Sequence, residues 1–175
     1  MGLLNNCIKI IVVYNKENKG FPIAINQGLK FGSNYNLISN NDVYFYPQTI
    51  NELLKAIKAS KYGYITAVDK NRNWKIVKDI KNEWWEGLCN SCFIISREFI
   101  NKVGYYDENF ELGNDEDRDM LHRAGLLGKE ARAYIPAIIE HEHGATQKTI
   151  NSNSPERLFK NRKYMENKYG IKLGW

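Results

Sequence analysis

Two groups of polar residues in the sequence have the types that hold a divalent cation. Asp42 follows Asn40 and Asn41, directly after a short apolar segment, and His141 and His143 lie at the end of a second apolar segment. A carboxylate and an imidazole can share one cation. Plainer roles fit as well, because Asn and Asp favour turns and helix caps, and a histidine at a strand end is often a surface residue.

A third group is the acidic cluster at residues 115–119 (DEDRD), where a helix is predicted to begin. A helix N-terminus stabilises ionised carboxylates, whereas packing several acids together opposes their complete ionisation. The cluster could therefore supply a general base. It fits helix capping together with an Asp119–Arg123 ion pair equally well.

The cysteines favour neither a disulfide framework nor a structural zinc site. Cys7, Cys89 and Cys92 are odd in number, and no second CxxC pair accompanies Cys89 and Cys92. We expect all three to be reduced. A redox role for Cys89 and Cys92 is a weaker alternative, because the following residues predict a buried strand.

Strands and helices alternate along the predicted chain. The strands are predicted at residues 8–14 (IKIIVVY), 36–39, 62–68, 74–77, 92–95 and 132–139. The helices are predicted at residues 21–31, 49–60, 97–103, about 115–125 and 154–170. This order predicts an α/β sandwich with a mostly parallel sheet, in which ligands bind at the carboxyl ends of the strands.

Length and composition predict one globular domain covering residues 1–175. A chain of 175 residues, 43% hydrophobic and 26% charged, can bury a core and is too short for two ordinary domains. No apolar run is long enough to span a bilayer, and the first residues lack the pattern of a signal peptide. A cytoplasmic location is therefore the default expectation.

The net charge of +5 and the sequence pI of about 9.0 reflect an excess of basic residues. Most of that excess lies in the last predicted helix, which is basic and amphipathic. A solvated charged face, peripheral contact with an anionic membrane, or nucleic-acid binding would each fit this excess. Nucleic acid is the weakest alternative, because the chain shows no nucleic-acid motif and no aromatics on a basic platform.

A series of motifs, in their order along the chain, resembles glycosyltransferase family 2, in the rhamnosyltransferase-like branch of the GT-A fold. The motifs are NKGF (18–21), AINQG (24–28), NND (40–42), GYYDENF (104–110), EDRD (116–119) and His141. The resemblance covers residues 15–170 and includes NRKY (161–164) and KYG (168–170) in the last helix.

The resemblance implies an inverting transferase that moves a sugar from a nucleotide-diphosphate donor to an acceptor hydroxyl. Asp42 lies at the family's DxD position, with Asn in place of the first Asp, and would ligate Mn²⁺ or Mg²⁺. His141 matches the metal-side histidine better than His143. Asp117 would be the general base, and Glu116 would bind acceptor hydroxyls. The acceptor would be a glycan, a lipid-linked molecule or a protein.

The resemblance also implies contacts to both substrates. The residues expected to bind the donor are Asn18, Gly20, Asn26, Gly28, Asn40 and Asn41. Trp84 and Trp85 could stack on a sugar face of the acceptor. They would fit the core or a lid equally well.

Relative to the family, the chain is expected to be shortened at its N-terminus. Family members usually begin with a strand, a helix and a second strand that cradle the nucleotide base, whereas here the motif beginning at Asn18 arrives early. The alternative function is therefore a weakly active or inactive sugar-binding or scaffold module, completed by a partner chain. An exposed sheet edge would be its sign, and a homo-oligomer is one form it could take.

Overall fold

A computed structural model describes residues 10–142 and 154–173 of the protein. The strands of this part are β1 (Tyr35–Ser39), β2 (Val43–Phe45), β3 (Tyr64–Asp69), β4 (Trp84–Trp85), β5 (Cys92–Ser96) and β6 (Ala131–His141). The helices are α1 (Phe21–Lys30), α2 (Thr49–Ala59), α3 (Lys70–Val77), α4 (Arg97–Val103), α5 (Glu116–Leu126) and α6 (Pro155–Tyr169).

Most helices begin and end where local chemistry predicts. Pro22 lies in the first turn of α1, where its missing N–H costs nothing. The Ser96 hydroxyl caps α4 by accepting a hydrogen bond from the Phe99 N–H, and Gly104 ends that helix at φ 93°. Ser154 caps α6 in the same way.

Two predicted strands are wrong. Residues 10–14 form no strand, and Ile10, Val12 and Tyr14 are 84–86% exposed; residues 8 and 9 lie outside the described residues. An apolar β-branched run forms a strand only where a neighbouring strand supplies backbone partners, and residues 10–14 pair with none of the described strands. Residues 74–77 belong to helix α3, because the Asp69 carboxylate caps that helix at the Asn71 N–H.

The sheet contains six strands in the order β1-β5-β3-β6-β2, with β4 also paired to β6. The prediction of a mostly parallel sheet is wrong, since only β3 and β6 pair in parallel among the described strands. The alternation of strands and helices suggested parallel pairing, but α2 and α3 connect strands that run in opposite directions. Strands β1, β3 and β6 nevertheless share one direction.

Helices cover both faces of the sheet, which confirms the α/β sandwich. Tyr64 and Phe93 face α1, α4 and α5 in one apolar cluster. The next residue on each strand, Ile65 and Ile94, faces α2 in another. This alternation is the period of two expected of strands buried on both faces.

The last helix, α6, packs against the rest of the domain rather than standing apart. Its buried residues Arg157, Asn161 and Met165 recur every four positions and form one face. Lys168 in its last turn reaches Asp107 at 2.6 Å and the fully buried Asp119 at 2.5 Å. None of the described helices has the length and apolar character that a membrane span requires.

Candidate active site

A polar cleft of about 640 Å³ lies among the described residues. It lies at the carboxyl ends of β1, β3 and β6, which point the same way. Its wall includes residues that follow β1 and β3, the last residue of β6, the loop before β5 and the start of α5. The residues lining it are Asn18, Phe21, Asn40, Asn41, Asp42, Arg72, Asn73, Trp85, Gly87, Leu88, Cys89, Asn90, Ser91, Leu112, Gly113, Asn114, Glu116, Asp117 and His141.

Asp42 and His141, 99 residues apart, meet at one end of this cleft. His141 pairs with Val43 in the antiparallel register of β2 and β6, and the Glu142 N–H donates to the Asp42 carbonyl at 3.0 Å. These backbone contacts bring His141 Nε2 to 3.0 Å from Asp42 Oδ1. Their side chains are only 11% and 13% exposed. His143 lies outside the described residues.

The chemistry of this pair fits a divalent cation. A carboxylate oxygen and an imidazole nitrogen are both ligands that Mn²⁺ accepts, and Mg²⁺ is often bound by one or two carboxylates plus substrate phosphates. Across residues 10–142 and 154–173, no group of three or more His, Cys, Asp or Glu residues is arranged to hold a metal. A cation at Asp42 and His141 would therefore take its remaining ligands from a phosphate-bearing substrate and water.

The acidic start of α5 enters the cleft from a loop with an unusual backbone. Leu112, Asn114 and Asp115 have φ values of 55°, 79° and 64°, and Gly113 lies between them at φ 111°. Left-handed conformations cost non-glycine residues about 1 kcal/mol each and are concentrated at functional sites. The Asp115 side chain does not cap the helix. It pairs with Arg162 of α6 instead.

Asp117 is held by hydrogen bonds on both carboxylate oxygens. Its Oδ1 accepts from the Arg118 N–H at 2.8 Å, and its Oδ2 accepts from the Asn90 side-chain amide at 2.7 Å. Asp117 is half-buried and lines the cleft. The carboxylate is therefore oriented and still accessible from the cleft.

Glu116 has a different environment. The residue is only 8% exposed, and its Oε2 atom is buried without a hydrogen-bond partner among the described residues. Burial, followed by the charge of Asp117, raises the pKa of Glu116 to about 7. Near neutral pH this carboxyl group therefore carries a proton in part of the molecules, and it can donate or accept a hydrogen bond in the cleft.

Asn18 lines the cleft, and Gly20, two residues further on, lies against the strained loop. The Asn18 side chain accepts from the Gly20 N–H at 2.9 Å. Gly20 has φ 82°, and a Cβ atom there would lie 2.8 Å from the Leu112 Cα. Only glycine allows the start of α1 to approach this loop so closely.

The cleft wall contains eight of the twelve predicted site residues; Gly20, Asn26, Gly28 and Trp84 are not part of it. The Asn26 side chain is buried and bonds to both the N–H and the carbonyl of Tyr106, at 3.0 and 2.8 Å. Gly28 lines a separate groove. Trp84 packs between Tyr62 and Tyr134 on the far side of the sheet. Trp85, its neighbour in β4, points the other way and lines the cleft.

Several residues of the cleft wall were not predicted from the sequence. Arg72 and Asn73 lie there because residues 70–77 form a helix, and the signal that could have found this helix is Asp69, a capping residue directly after a buried strand. Asn90 gave no signal in the sequence. The expectation of reduced thiols holds for Cys89 and Cys92, which are free, whereas Cys7 lies outside the described residues. Burial raises the pKa of both, to about 12 for Cys92, so neither is a ready nucleophile.

One family model matches most of the chain, and one curated relative and one solved structure are similar to it. Residues 3–127 match the sequence profile of Glycosyl transferase family 2, a match that ends before β6. A galactofuranosyl glycosyltransferase of Leishmania donovani is 22% identical, over 89% of this chain and 48% of its own length. Mannosyltransferase PcManGT from Pyrobaculum calidifontis, solved in complex with GDP-Man and Mn²⁺, superposes with a TM-score of 0.60 at 16% identity.

That superposition covers 77% of this chain and 39% of the mannosyltransferase. The chain therefore spans about half, or less, of the length of these two relatives. The structural likeness confirms the predicted GT-A fold.

Proposed function

The chain belongs to glycosyltransferase family 2, and from this premise we propose that it transfers a sugar from a nucleotide-diphosphate donor to an acceptor hydroxyl, with inversion at the anomeric carbon. The observation that carries the proposal is the meeting of Asp42, His141 and Asp117 in one cleft. The relative solved with GDP-Man and Mn²⁺ supports both a nucleotide-sugar donor and a divalent cation.

Asp42 and His141 are proposed to hold Mn²⁺ or Mg²⁺ against the donor diphosphate. When bound, the cation neutralises negative charge that develops on the departing nucleoside diphosphate. Arg72 lines the same cleft and adds a positive charge from the protein itself. Asn18, Asn40 and Asn41 present amide groups there that can bind donor oxygens.

Asp117 is proposed as the general base. Its carboxylate takes the proton of the acceptor hydroxyl while the acceptor oxygen forms a bond to the anomeric carbon. The bond from that carbon to the diphosphate oxygen breaks, and the nucleoside diphosphate leaves with the electron pair. Attack opposite the leaving group inverts the anomeric centre. Glu116 is proposed to bind an acceptor hydroxyl, and Trp85 to contact a sugar face.

One observation favours the alternative function, a sugar-binding or scaffold module completed by a partner. Strand β1 forms an edge of the sheet, paired only with β5 among the described strands. An apolar groove of about 580 Å³ runs beside it. An added strand from a partner or a second copy would pair at such an edge. The cytoplasmic location and peripheral membrane contact stay predictions.

Calorimetric titration with UDP, dTDP and GDP, each with and without Mn²⁺, tests the proposal. We expect at least one nucleotide to bind in a metal-dependent way and Asp42→Ala to abolish that dependence. Asp79→Ala is the matched control, because Asp79 is exposed and does not line the cleft. Failure of all three nucleotides to bind would overturn the proposal and favour the alternative.

Donor hydrolysis or transfer tests the base. Asp117→Ala should bind the nucleotide normally and lower kcat by about 10²- to 10⁴-fold, which is the usual contribution of a general base. Unchanged turnover in this variant would remove Asp117 from the mechanism while leaving the donor site intact.

A further inference from the structure

A chain of hydrogen bonds connects Asp117 to the apolar core. The Asn90 side-chain amide donates to Asp117 Oδ2 at 2.7 Å, and the Tyr64 hydroxyl donates to Asn90 Oδ1 at 2.9 Å. The Tyr106 hydroxyl lies 3.1 Å from the Tyr64 hydroxyl. The chain thus runs from a cleft residue, through half-buried Asn90, to two buried phenols.

Only one arrangement of hydrogens satisfies this chain. The Asp117 carboxylate accepts, which turns the Asn90 NH₂ toward it and the Asn90 carbonyl oxygen toward Tyr64. Tyr64 therefore gives its hydrogen to Asn90 and accepts one from Tyr106. Burial raises the pKa of both phenols above the ordinary value, so both keep the hydrogen that the arrangement requires.

The inner end of the chain is rigid. Tyr64 is 1% exposed and stacks on Phe93, with ring centroids 4.7 Å apart. The backbone of Tyr106 is held on both sides by the buried amide of Asn26. Asn26, which the sequence analysis assigned to the donor, thus anchors the end of this chain that lies deepest in the core.

We infer that Asn90 is a positioning residue. By bonding to the rigidly packed Tyr64 on one side and to Asp117 on the other, it fixes the direction of the Asp117 carboxylate in the cleft. The inference rests on the proposed function of Asp117 as the base. A base must meet the acceptor proton within hydrogen-bond distance, and a displacement of about 1 Å can cost on the order of 10²-fold in rate. Asn90 leaves the remaining lone pairs of Asp117 open to the cleft.

Turnover of the variants tests the inference with matched hydroxyl deletions. Asn90→Ala should lower kcat by on the order of 10²-fold with little change in the KM for the donor. Tyr64→Phe removes the group that touches Asn90 and should lower kcat in the same direction. Tyr106→Phe deletes an equally buried hydroxyl one step further away and should lower kcat much less. Equal losses in the two Phe variants would overturn the inference.

The pH profile separates positioning from a merely structural role. Asn90→Asp keeps the shape but places a second carboxyl group beside Asp117, and two such groups share a proton. The acid limb of kcat should therefore move to higher pH. The other charged or titratable groups of the cleft, Glu116, Asp42, His141, Arg72 and Cys89, are unchanged in the variant. An unmoved limb would contradict the inference.

A measurement without turnover keeps this inference distinct from the proposed function. In ¹⁵N-labelled protein, the Asn90 side-chain amide is identified by its loss in Asn90→Ala. One of its two protons should be shifted downfield and should lose that shift in Asp117→Ala. An unchanged amide in Asp117→Ala refutes the positioning contact even if the enzyme is active. A changed amide in a protein that binds no nucleotide supports the contact and refutes the proposed function alone.

Discussion

The carboxyl groups at the start of α5 are neighbours in sequence but serve different purposes. Asp119 is fully buried and pairs with Arg123 at 2.8 Å and with Lys168 at 2.5 Å, so it stabilises the fold. Glu116 and Asp117 face the cleft instead. The sequence allowed either a base or an Asp119–Arg123 pair in this cluster; the structure contains the ion pair, and the proposed base is a different residue, Asp117.

The buried carboxyl of Glu116 makes a prediction about stability against pH. Its pKa is raised from 4.5 to about 7 in the folded protein, so between these values the folded state binds more protons than the unfolded state. Stability therefore falls as pH rises through this window. Glu116→Gln removes this titration. The free energy of unfolding of the variant, relative to that of the wild type, should therefore rise by up to about 3 kcal/mol from pH 5 to pH 8.

Urea unfolding at the two pH values measures this difference. Glu98→Gln is the control. Lys102 lowers the pKa of the exposed Glu98 carboxyl, so replacing Glu98 cannot raise the relative free energy of unfolding as the pH rises. A constant difference between Glu116→Gln and the wild type at both pH values would show that Glu116 does not titrate in this range.

Among the elements, helix α6 holds the loop that precedes the proposed base, Asp117. The Asn161 side-chain amide donates to the carbonyl oxygens of Glu111, Gly113 and Asn114 at 3.1, 2.8 and 3.1 Å, and its oxygen accepts from the Glu111 N–H at 3.2 Å. Asn161 is 1% exposed. The left-handed residues of this loop persist because these bonds determine their positions.

Asn161→Ala should therefore destabilise the protein by about 1–3 kcal/mol, since buried carbonyl groups lose their donor. It should also speed amide hydrogen exchange at residues 112–115 more than in the sheet. Asn109→Ala is the control, because Asn109 is exposed and bonds to Asp107 outside the loop. Equal exchange in the loop of wild type and Asn161→Ala would show that α6 does not hold it.

The elements also show where sequence reasoning succeeds. A helix with an apolar face, Thr49–Ala59, and a helix with a side-chain cap, Arg97–Val103, were predicted to within a residue or two. Residues 74–77 (WKIV) are rich in the aromatic and β-branched side chains of a strand, but the cap at Asp69 favours a helix. The direction of Trp84 and Trp85 depends on pairing with β6, a long-range contact that local patterns do not encode.

For the whole molecule, the site could be predicted better than the sheet. The rule that ligands bind after the carboxyl ends of parallel strands located Asp42 and His141, although most strand pairs are antiparallel. It held because β1, β3 and β6 run in the same direction. Asn90 and the loop at residues 112–115 could not be predicted, since their places depend on packing between distant segments, whereas the place of Arg72 follows from the helix that Asp69 caps.

Strand β1 lies at an edge of the sheet and pairs only with β5 among the described strands. The strand predicted at residues 8–14 does not form over residues 10–14, and Ile10 and Ile11 lie in the apolar groove beside β1. Sequence alone could not decide this, because the pattern of a buried strand does not name its partner. If the protein is an active enzyme, its cleft needs no further strand at β1. The alternative module instead requires a partner strand to pair at this edge.

Pulsed EPR of bound Mn²⁺ tests most directly whether the cleft holds a cation and a diphosphate together. With the nucleoside diphosphate that binds in calorimetry, the wild type should show both a ³¹P coupling from the diphosphate and a ¹⁴N coupling from an imidazole. His141→Ala should lose the ¹⁴N coupling, and His143→Ala should keep it. A ³¹P coupling without any ¹⁴N coupling in the wild type, or a ¹⁴N coupling that survives His141→Ala, would contradict the account.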